Sequence, residues 1–577
     1  MFLIMGFLEV FGLASVLPFL AVLSNPQTIQ TNTYLATAYN RLGFTSTDSF
    51  LLFLSVVVFT ITIVRISFNA LVQYATLRFA QMRNSSLTCR VLEAYLRQPY
   101  SWFLGRPTSD LGNTIINEVE VAVRGVMLPA LRLISQAVVA TLVIGFVIVL
   151  HPFISVGAAT LIAGSFALVY FASRKYLSRI GKDRIRASNE RFKLMKEAMD
   201  GIKEVKAMGL ENAYVRRFRK PALRFGQSQV KGAVVGQMPR YFLEAVLFGG
   251  MLLLIISLLA VEQSDLMTIL PVLGLYGFAG YRLMPVVQQI FQAVTKMRFN
   301  KAALDRLYDD IRMLEASRKV PSSPTFVERK MSLGKSLELS NIAFTYPGAE
   351  RPALHDLTLA VKAKTTVAFV GATGSGKSTL VDVVLGLLQP QQGECRVDGV
   401  KITGANVRAW QRSIGYVPQH IFLADDSIAG NIAFGTPVAE IDMAAVERAA
   451  KLAKLHTFVV TELSRGYHTL IGEKGVRLSG GQRQRIGIAR ALYHDPNVLV
   501  FDEATSALDN LTERAVMDAI RNLSHQKTII LVAHRLMTVR NCDLIFMLDR
   551  GRVSTSGSYE ELLSNSRDFR VLANHEF

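Results

Sequence analysis

The stretch Gly371 to Ser378, GATGSGKS, has residues at a spacing that can bind phosphate groups. Its glycines let backbone N–H groups turn inward around an anion, and Lys377 can reach the outer phosphates of a nucleotide. The hydroxyl of Ser378 can ligate Mg²⁺. A buried-type strand sequence, TVAFV, precedes this loop, and an apolar-periodic helix pattern follows it. Because this is the context that a phosphate-binding loop requires, we predict that the segment binds a nucleoside triphosphate.

Two adjacent acids, Asp502 and Glu503, follow a second buried-strand sequence, NVLVF. Asp502 at the strand end can hold Mg²⁺ through water, and Glu503 can position and polarise an attacking water. Acidic strand ends are common, so the pair alone would be weak evidence. Its position downstream of a phosphate-binding loop predicts nucleotide hydrolysis.

A third motif, LSGGQRQRIGIARAL, can also contact an anion. Ser479, Gly480 and Gly481 come just before an apolar-periodic helix, so they present a hydroxyl, backbone amides and a helix N-terminus. Taken alone, this glycine motif would be ambiguous. Together with the phosphate-binding loop it resembles the signature of the ATP-binding cassette family, and the resemblance covers essentially the whole C-terminal half.

This resemblance implies ATP and Mg²⁺ as ligands and gives roles to further residues. Tyr346 in FTYPG would stack on adenine, and Gln419 in YVPQH would sense Mg²⁺ and the attacking water. Asp509 in SALD would communicate between paired sites, and His534 in VAHRL would contact the γ-phosphate. The expected catalytic residues are Lys377, Gln419, Glu503 and His534, and the expected metal ligands are Ser378, Gln419 and Asp502. The expected nucleotide-binding residues are Tyr346, Gly371, Gly374, Ser375, Gly376, Lys377, Ser378, Thr379, Ser479, Gly480, Gly481, Gln482 and Asp509.

The family resemblance also predicts the assembly. In that family the signature of one subunit completes the ATP site of another, and this chain carries a single cassette. Glu503 and the signature are intact, so two identical chains would form two competent sites. We therefore expect a half-transporter that works as a homodimer.

The residues before about position 300 have a different composition. Half of the chain is hydrophobic, with a mean hydropathy of +0.29, and the long apolar runs all lie in the first half. A helix needs about 20 mainly apolar residues to cross a bilayer. The first run has no basic n-region and contains Glu9 and Pro18, so we interpret it as a span and not as a secretory signal. The predicted spans are residues 1–24, 50–77, 128–150, 153–173, 241–261 and 266–294.

These features predict a multidomain fold. An all-α six-helix transmembrane domain (1–318) would be followed by a linker (319–335) and an α/β P-loop ATP-binding cassette domain (336–577). Six spans and one cassette resemble the exporter branch of the family, in which two cytoplasmic segments, here near Arg97–Asn113 and Lys206–Arg224, would couple the domains. The three cysteines lie far apart, in no metal-ligand spacing.

The basic residues predict the orientation. From Arg174 to Arg224 there are 16 Lys and Arg against 6 Asp and Glu, whereas the short segments that we expect outside (24–49, 151–152 and 262–265) carry little positive charge. Positive charge beside membrane spans marks the cytoplasmic side. We therefore expect a multi-pass protein of the bacterial inner membrane, with both termini and the cassette in the cytoplasm and with no nucleic-acid partner.

Three arginines lie within or beside the predicted spans: Arg65, Arg240 and Arg282. An arginine at the centre of a membrane helix costs about 2.5–3.5 kcal/mol on insertion scales, so it usually faces a partner or a cavity. One interpretation is internal pairing, of Arg240 with Glu244 and of Arg65 and Arg282 with Glu9. The other is a basic cavity that receives an anionic headgroup.

Three membrane segments resemble the bacterial flippases of lipid-linked oligosaccharides and their relatives in polysaccharide clusters: FLEVFGLASVLPFLAVL, MPRYFLEAVLFG and LYGFAGYRLMP. The resemblance implies a polyprenyl-pyrophosphate-linked oligosaccharide, or a similar anionic glycolipid, as cargo. Arg240 and Arg282 would then meet the pyrophosphate. One departure is Gln289, where such a flippase is expected to have a further basic residue. The alternatives are a general exporter of lipids or hydrophobic compounds and a membrane-anchored ATPase that does not transport.

Overall fold

A computed structural model of the protein describes residues 1–24, 26–150, 152–261, 266–316, 330–472, 475–503, 513, 523–533 and 539–574. The chain divides into two compact units. One comprises Met1–Gln98 and Arg106–Ser317, and the other comprises Pro99–Gly105 and Arg318–Phe577. Residues 319–329 of the predicted linker lie outside the described residues.

The described part of the first unit consists of helices and their connections. Two π-helical segments, Thr114–Glu118 and Val123–Met127, flank the four-residue helix α7 (Val119–Ala122). The helices are α1 (Phe2–Ser24), α2 (Thr28–Thr31), α3 (Thr33–Arg41), α4 (Thr47–Leu96), α6 (Thr108–Asn113), α7 (Val119–Ala122), α8 (Leu128–Leu150), α9 (Pro152–Asp200), α10 (Ile202–Ala207), α11 (Glu211–Val261) and α12 (Leu266–Ala316). The intervening α5 (Tyr100–Leu104) belongs to the second unit.

Within the described residues, three helical stretches are long and apolar enough to cross a membrane: Phe2–Leu23, Thr47–Leu96 and Thr108–Val149. They contain nearly all of the predicted spans 1–24 and 128–150 and all of 50–77. The other three predicted spans lie along α9, α11 and α12, where many side chains are outside the described set, so these spans stay predictions.

Helices of the first unit approach each other closely at small residues. The first helix packs against α4, α8 and α12, and Met5, Val72 and Val139 form one of its buried contacts. Between α9 and α12 the approach is closer still, since a Cβ on Gly181 would lie 2.1 Å from the carbonyl oxygen of Phe299. Small residues permit such backbone contact between membrane helices. The packing brings the polar residues of α1, α4 and α12 to facing positions.

The second unit contains two sheets. The four-stranded antiparallel sheet has the order β2-β1-β4-β5, and the six-stranded sheet has the order β10-β9-β3-β8-β7-β6. In the larger sheet all neighbours are parallel except β9 and β10. The strands are β1 (Ser336–Phe344), β2 (Leu354–Lys362), β3 (Thr366–Val370), β4 (Gln392–Val397), β5 (Val400–Lys401), β6 (Ile414–Val417), β7 (Val498–Asp502), β8 (Thr528–Val532), β9 (Leu544–Asp549) and β10 (Arg552–Gly557).

Helices pack around the larger sheet, whose central strands are buried on both faces. The described helices are α13 (Lys377–Val384), α14 (Val407–Gln411), α15 (Ile428–Ile432), α16 (Met443–Leu452), α17 (His456–Glu462), α18 (Gly480–Leu492), α19 (Tyr559–Asn565) and α20 (Arg567–Asn574). Every residue of β3 and β8 is buried, as the unbroken apolar runs of parallel strands predict. Ligands of such sheets bind beyond the carboxyl ends of the strands. That edge is where the loop after β3 and the two acids at the end of β7, Asp502 and Glu503, lie.

Candidate functional site

The loop between β3 and α13 has a backbone that glycine alone adopts easily. Gly371, Gly374 and Gly376 have φ values of +148°, +81° and +101°. A Cβ on Gly376 would also lie 2.9 Å from the carbonyl oxygen of Ala353. A positive φ costs residues with a Cβ free energy, whereas glycine adopts it readily. The glycine pattern of the sequence and the backbone geometry therefore agree.

This loop carries a buried cation and a buried hydroxyl. The Lys377 ammonium, on a side chain that is only 5% exposed, donates to the carbonyl oxygens of Gly371 (2.8 Å) and Ala372 (3.0 Å). Burial lowers the pKa of Lys377, and the nearby charges of Glu503 and Asp502 oppose that shift. The Ser375 hydroxyl is buried and has no hydrogen-bond partner among the described residues. A phosphate chain would satisfy both groups, so the loop fits the nucleotide that its sequence predicts.

Tyr346 lies beside the same loop. Its hydroxyl is 3.1 Å from that of Thr379 in the first turn of α13, and its ring meets the Phe344 ring edge-on at 5.1 Å. The aromatic ring is therefore held next to the phosphate-binding helix. Its stacking on adenine stays a prediction.

The two acids at the carboxyl end of β7 lie beside residues from neighbouring strands. Because β6 and β7 are parallel and paired, their carboxyl ends bring Gln419 to Glu503, with 2.5 Å between Nε2 and Oε2. The Tyr416 hydroxyl donates to Asp502 at 3.4 Å. Glu503 has a φ of +50°, and its backbone N–H donates to the Val532 carbonyl at 3.1 Å. A strained backbone held by a hydrogen bond is typical of a functional position.

The structure adds one acid that sequence reasoning missed. Asp382 lies on α13, and burial, together with the charge of Asp502, raises its pKa to about 6. The sequence indicates Asp382 only as an acidic residue within the otherwise apolar helix that follows the loop. Two acids that repel each other beside the loop make this edge a favourable environment for a cation. Ser378, Gln419 and Asp502 offer oxygen ligands of the kind that Mg²⁺ prefers.

The third motif begins α18. Ser479 is the N-cap, and its Oγ accepts from the Gln482 backbone N–H at 3.2 Å, while Gln482 Oε1 accepts from the Ser479 N–H at 2.8 Å. This capping box uses a lone pair of the hydroxyl and leaves its proton available to donate. The serine and the amides of Gly480 and Gly481 can therefore contact an anion from another molecule. Two further predicted residues, Asp509 and His534, lie outside the described residues.

In the first unit, Glu9 pairs with two arginines of the predicted spans, Arg65 and Arg282. The Arg65 Nη1 atom lies 2.7 Å from Glu9 Oε2, and Arg282 Nη1 lies 3.6 Å from the same oxygen. Asn69 Nδ2 donates to Glu9 Oε1 at 2.9 Å, and the Arg282 guanidinium lies over the Phe278 ring at 5.1 Å. The structure thus has the internal pairing that the sequence left open for these two arginines. We call Glu9, Arg65 and Arg282 the membrane charge cluster; with two cations and one anion it carries a formal charge of +1.

A cavity of about 410 Å³ adjoins this cluster at Asn69. Its polar wall includes Arg132, Gln136 and Gln289, and the two glutamines are joined by a hydrogen bond of 2.9 Å. Arg132 lies on α8 and has no ion-pair partner among the described residues. Sequence reasoning missed Arg132, although an arginine within the predicted span 128–150 was its signal. Gln289 stands where a basic residue is expected, and Arg132 on the facing helix α8 brings a basic residue to the same cavity.

Arg240 lies on α11, but its side chain is outside the described set. Its pairing with Glu244 and its contact with a pyrophosphate both stay predictions.

Comparison with known proteins gives matches over both units. Residues 11–265 match the family model of the ABC transporter transmembrane region, and residues 354–506 match the ABC transporter family model. An ATP-dependent lipid A-core flippase of Alkalilimnicola ehrlichii is 31% identical over 84% of this chain and 81% of its own length. One of Cupriavidus pinatubonensis is 36% identical over 67% of this chain and 65% of its own length. The heterocyst differentiation ATP-binding protein HepA of Nostoc sp. is 33% identical over 64% of this chain and 58% of its own length.

A solved structure has the same fold. The structure of a bacterial Atm1-family ABC exporter with ATP bound superposes with a TM-score of 0.82 at 23% identity, over 99% of this chain and 97% of that one. The predicted fold class, a helical membrane domain followed by an α/β P-loop domain, is confirmed.

Proposed function

The chain belongs to the ABC transporter family as a membrane-spanning, ATP-driven exporter, and from this premise we propose that its cargo is an anionic glycolipid. ATP hydrolysis is coupled to transport in this family. The observation that carries the cargo proposal is the cavity beside the membrane charge cluster, where Arg132 lies among amide side chains.

The proposed hydrolysis follows from the groups at the sheet edge. Lys377 stabilises the charge that develops on the outer phosphates, and Glu503 orients the attacking water, whose position Gln419 helps to fix through its 2.5 Å contact with the carboxylate. Mg²⁺ held by Ser378, Gln419 and Asp502 would supply further neutralisation of phosphate charge. We assign the γ-phosphate contact to His534 and the communication between sites to Asp509 on the family resemblance.

We propose that two copies of the chain form the transporter. One chain carries one phosphate-binding loop and one capped α18 N-terminus, and the free hydroxyl proton of Ser479 supports a contact with nucleotide held by a second copy. The basic segment from Arg174 to Arg224 supports a cytoplasmic position for both termini and for the ATPase domains, in a bacterial inner membrane.

The charge of the cavity supports an anionic cargo. An apolar cargo gains nothing from an arginine in a membrane-spanning helix, where the charge costs free energy. The membrane charge cluster keeps a charge of +1, and Arg132 adds a cation that no described acid pairs. Phosphate groups beside sugars would meet these cations and the neighbouring amides of Gln136 and Gln289.

Two glycolipids are candidates within this class. The membrane segments resemble flippases of polyprenyl-pyrophosphate-linked oligosaccharides, whereas two relatives are named lipid A-core flippases. Both cargoes are phosphorylated glycolipids, so the same charged cavity serves either. We favour the polyprenyl-linked oligosaccharide as the first to test and lipid A-core as the second.

The test is ATP-dependent passage across a sealed bilayer. Proteoliposomes would contain the wild-type chain or its Glu503→Gln variant, and each labelled glycolipid would be followed by its accessibility at the outer surface. Movement that needs both ATP and Glu503 supports the proposal. ATP hydrolysis without movement of either glycolipid would refute it and favour a general exporter of other lipids; a labelled phosphatidylethanolamine in the same vesicles tests that alternative.

A further inference from the structure

A second and larger cavity lies in the first unit, apart from the membrane charge cluster. It has a volume of about 720 Å³ and is lined by the π-helical segments and by α9, α11 and α12. Its lining residues are at or beyond the ends of four predicted spans, on the side that we propose to be cytoplasmic. We call it the helix-end cavity.

Four cations line this cavity against one acid. Arg124 pairs with the lining acid Glu120 at 3.1 Å, and Arg184 pairs at 3.3 Å with Glu118, which is fully buried behind the wall. The remaining cations, Arg191 and Lys296, have no ion-pair partner among the described residues. The helix-end cavity therefore has two positive charges that no described acid neutralises.

Some polar atoms in the wall have no hydrogen bond. Thr295 is 1% exposed, yet its hydroxyl lacks a partner among the described residues. The Nε atoms of Arg184 and Arg191 are also buried without one. Burying an unsatisfied donor costs free energy. Three such donors around one cavity therefore indicate a ligand that accepts hydrogen bonds from them. An anion with several oxygens matches these donors.

Other parts of the wall suit a sugar. The Arg191 guanidinium lies 4.2 Å from the centre of the Phe225 ring, and both side chains line the cavity. The side chains that can donate to and accept from hydroxyls are the amides of Asn113, Asn117, Gln229, Gln237, Gln292 and Asn300. Aromatic rings and amides beside unneutralised cations favour a phosphorylated sugar over a bare anion.

The wall is also built on irregular backbone. The π-helical segments Thr114–Glu118 and Val123–Met127 lie on both sides of α7 and supply part of the lining. Such segments replace i→i+4 by i→i+5 hydrogen bonds and are frequent at functional sites. Here they bring Asn117 and Arg124 to the same cavity.

We propose that the helix-end cavity binds the phosphorylated sugar headgroup of the cargo before it reaches the membrane charge cluster. This inference rests on the proposed anionic glycolipid. The shared chemistry is a sugar phosphate, and its source would be the cargo headgroup and not a soluble metabolite.

The test uses the full-length protein in phosphatidylcholine nanodiscs, with glucose 1-phosphate as the probe and calorimetry as the readout. Glucose and inorganic phosphate are parallel probes. Lys296→Gln should weaken glucose 1-phosphate binding about tenfold, and Thr295→Val about threefold. Lys301→Gln is the matched control, because Lys301 lies on the same helix but pairs with Asp305 at 2.7 Å outside the cavity. The affinity of the Lys301→Gln variant for glucose 1-phosphate should equal that of the wild type. The elution profile and thermal midpoint of each variant check that it is folded.

A competition arm distinguishes the two sources. A polyprenyl-pyrophosphate oligosaccharide in the nanodisc should displace glucose 1-phosphate from the wild-type protein. Binding that no glycolipid displaces would overturn the headgroup assignment and indicate a soluble sugar phosphate. Equal affinities in wild type, Lys296→Gln and Thr295→Val would overturn the site itself. If the glycolipid is transported but the variants bind normally, this inference alone fails; if the site binds but no glycolipid moves, the proposed cargo fails.

Discussion

The pairing of Glu9 with two arginines predicts a large effect from neutralising this one carboxylate. Glu9→Gln keeps the size of the side chain and an oxygen that can accept from Asn69, but it removes the charge that Arg65 faces at 2.7 Å and Arg282 at 3.6 Å. Arg65 is 7% exposed, so it cannot turn to water. Removing one partner of a buried ion pair costs about 3–5 kcal/mol because it leaves a buried charge uncompensated.

The structure also sets the order of the related variants. Arg282→Gln removes the longer contact, of a more exposed side chain, and should cost about 1 kcal/mol. In the double variant Glu9→Gln/Arg65→Gln the buried charge is gone with its partner. It should therefore be more stable than Glu9→Gln alone, with a coupling free energy of about 2–3 kcal/mol. Lys301→Gln, in an exposed pair, should cost about 0.5 kcal/mol or less.

The assay is reversible unfolding of the purified full-length protein in a titration of SDS against mild detergent, followed by far-UV circular dichroism. The helix signal reports mainly the first unit, whose long helices carry most of the helical residues. Additive effects of Glu9→Gln and Arg65→Gln, or a Glu9→Gln variant as stable as the wild type, would refute the pairing. In that event the arginines would have to be compensated by something other than Glu9.

Three predictions concern the ATPase unit. Gly376→Ala should weaken ATP binding about 5- to 30-fold in equilibrium dialysis, because a Cβ is unfavourable at a φ of +101° by about 1–2 kcal/mol; unchanged affinity would contradict the loop geometry. Burial and Asp502 raise the pKa of Asp382 from 3.8 to about 6, so the ionised carboxylate increasingly destabilises the fold as pH rises between these values, with the full penalty above pH 6. Asp382→Asn should therefore raise the thermal midpoint at pH 8 more than at pH 4.5, and an equal gain at both would argue against this titration. Glu503→Gln should lower kcat for ATP by about 10²–10⁴ with ATP affinity within twofold, and Gln419→Ala should lower kcat less; a Glu503→Gln enzyme with normal turnover would show that another group orients the water.

The ATPase fold and its family were predictable because their signals are local in sequence. The loop GATGSGKS requires positive φ at its glycines, and the apolar run TVAFV forms a strand buried on both faces. The capping box likewise depends on two residues, Ser479 and Gln482, that lie within four positions of the sequence. The long apolar runs also indicated approximately where the long helices lie, because an apolar run of about 20 residues is typical of a membrane-spanning helix.

The membrane site was less predictable because it is built by packing. Glu9, Arg65 and Arg282 come from three helices far apart in the chain, and the sequence allowed either pairing or a basic cavity. Arg132 was missed because its importance depends on the facing Gln289, and Asp382 because its raised pKa depends on burial. The helix-end cavity could not be predicted either, because four helical segments far apart in the chain build it; in the sequence, Arg184 and Arg191 contribute only to the orientation signal.

The central claim is that the protein binds a phosphorylated glycolipid in a positively charged membrane cavity and couples its movement across the bilayer to ATP hydrolysis. The most direct measurement compares initial rates of ATP-dependent flipping for one glycolipid with and without its phosphate groups, in proteoliposomes of wild type and of Arg132→Gln. The wild type should flip the phosphorylated form at least tenfold faster, and Arg132→Gln should lose most of that preference while it still hydrolyses ATP. Equal rates for both lipids in the wild type, or a preference that Arg132→Gln retains in full, would contradict the claim.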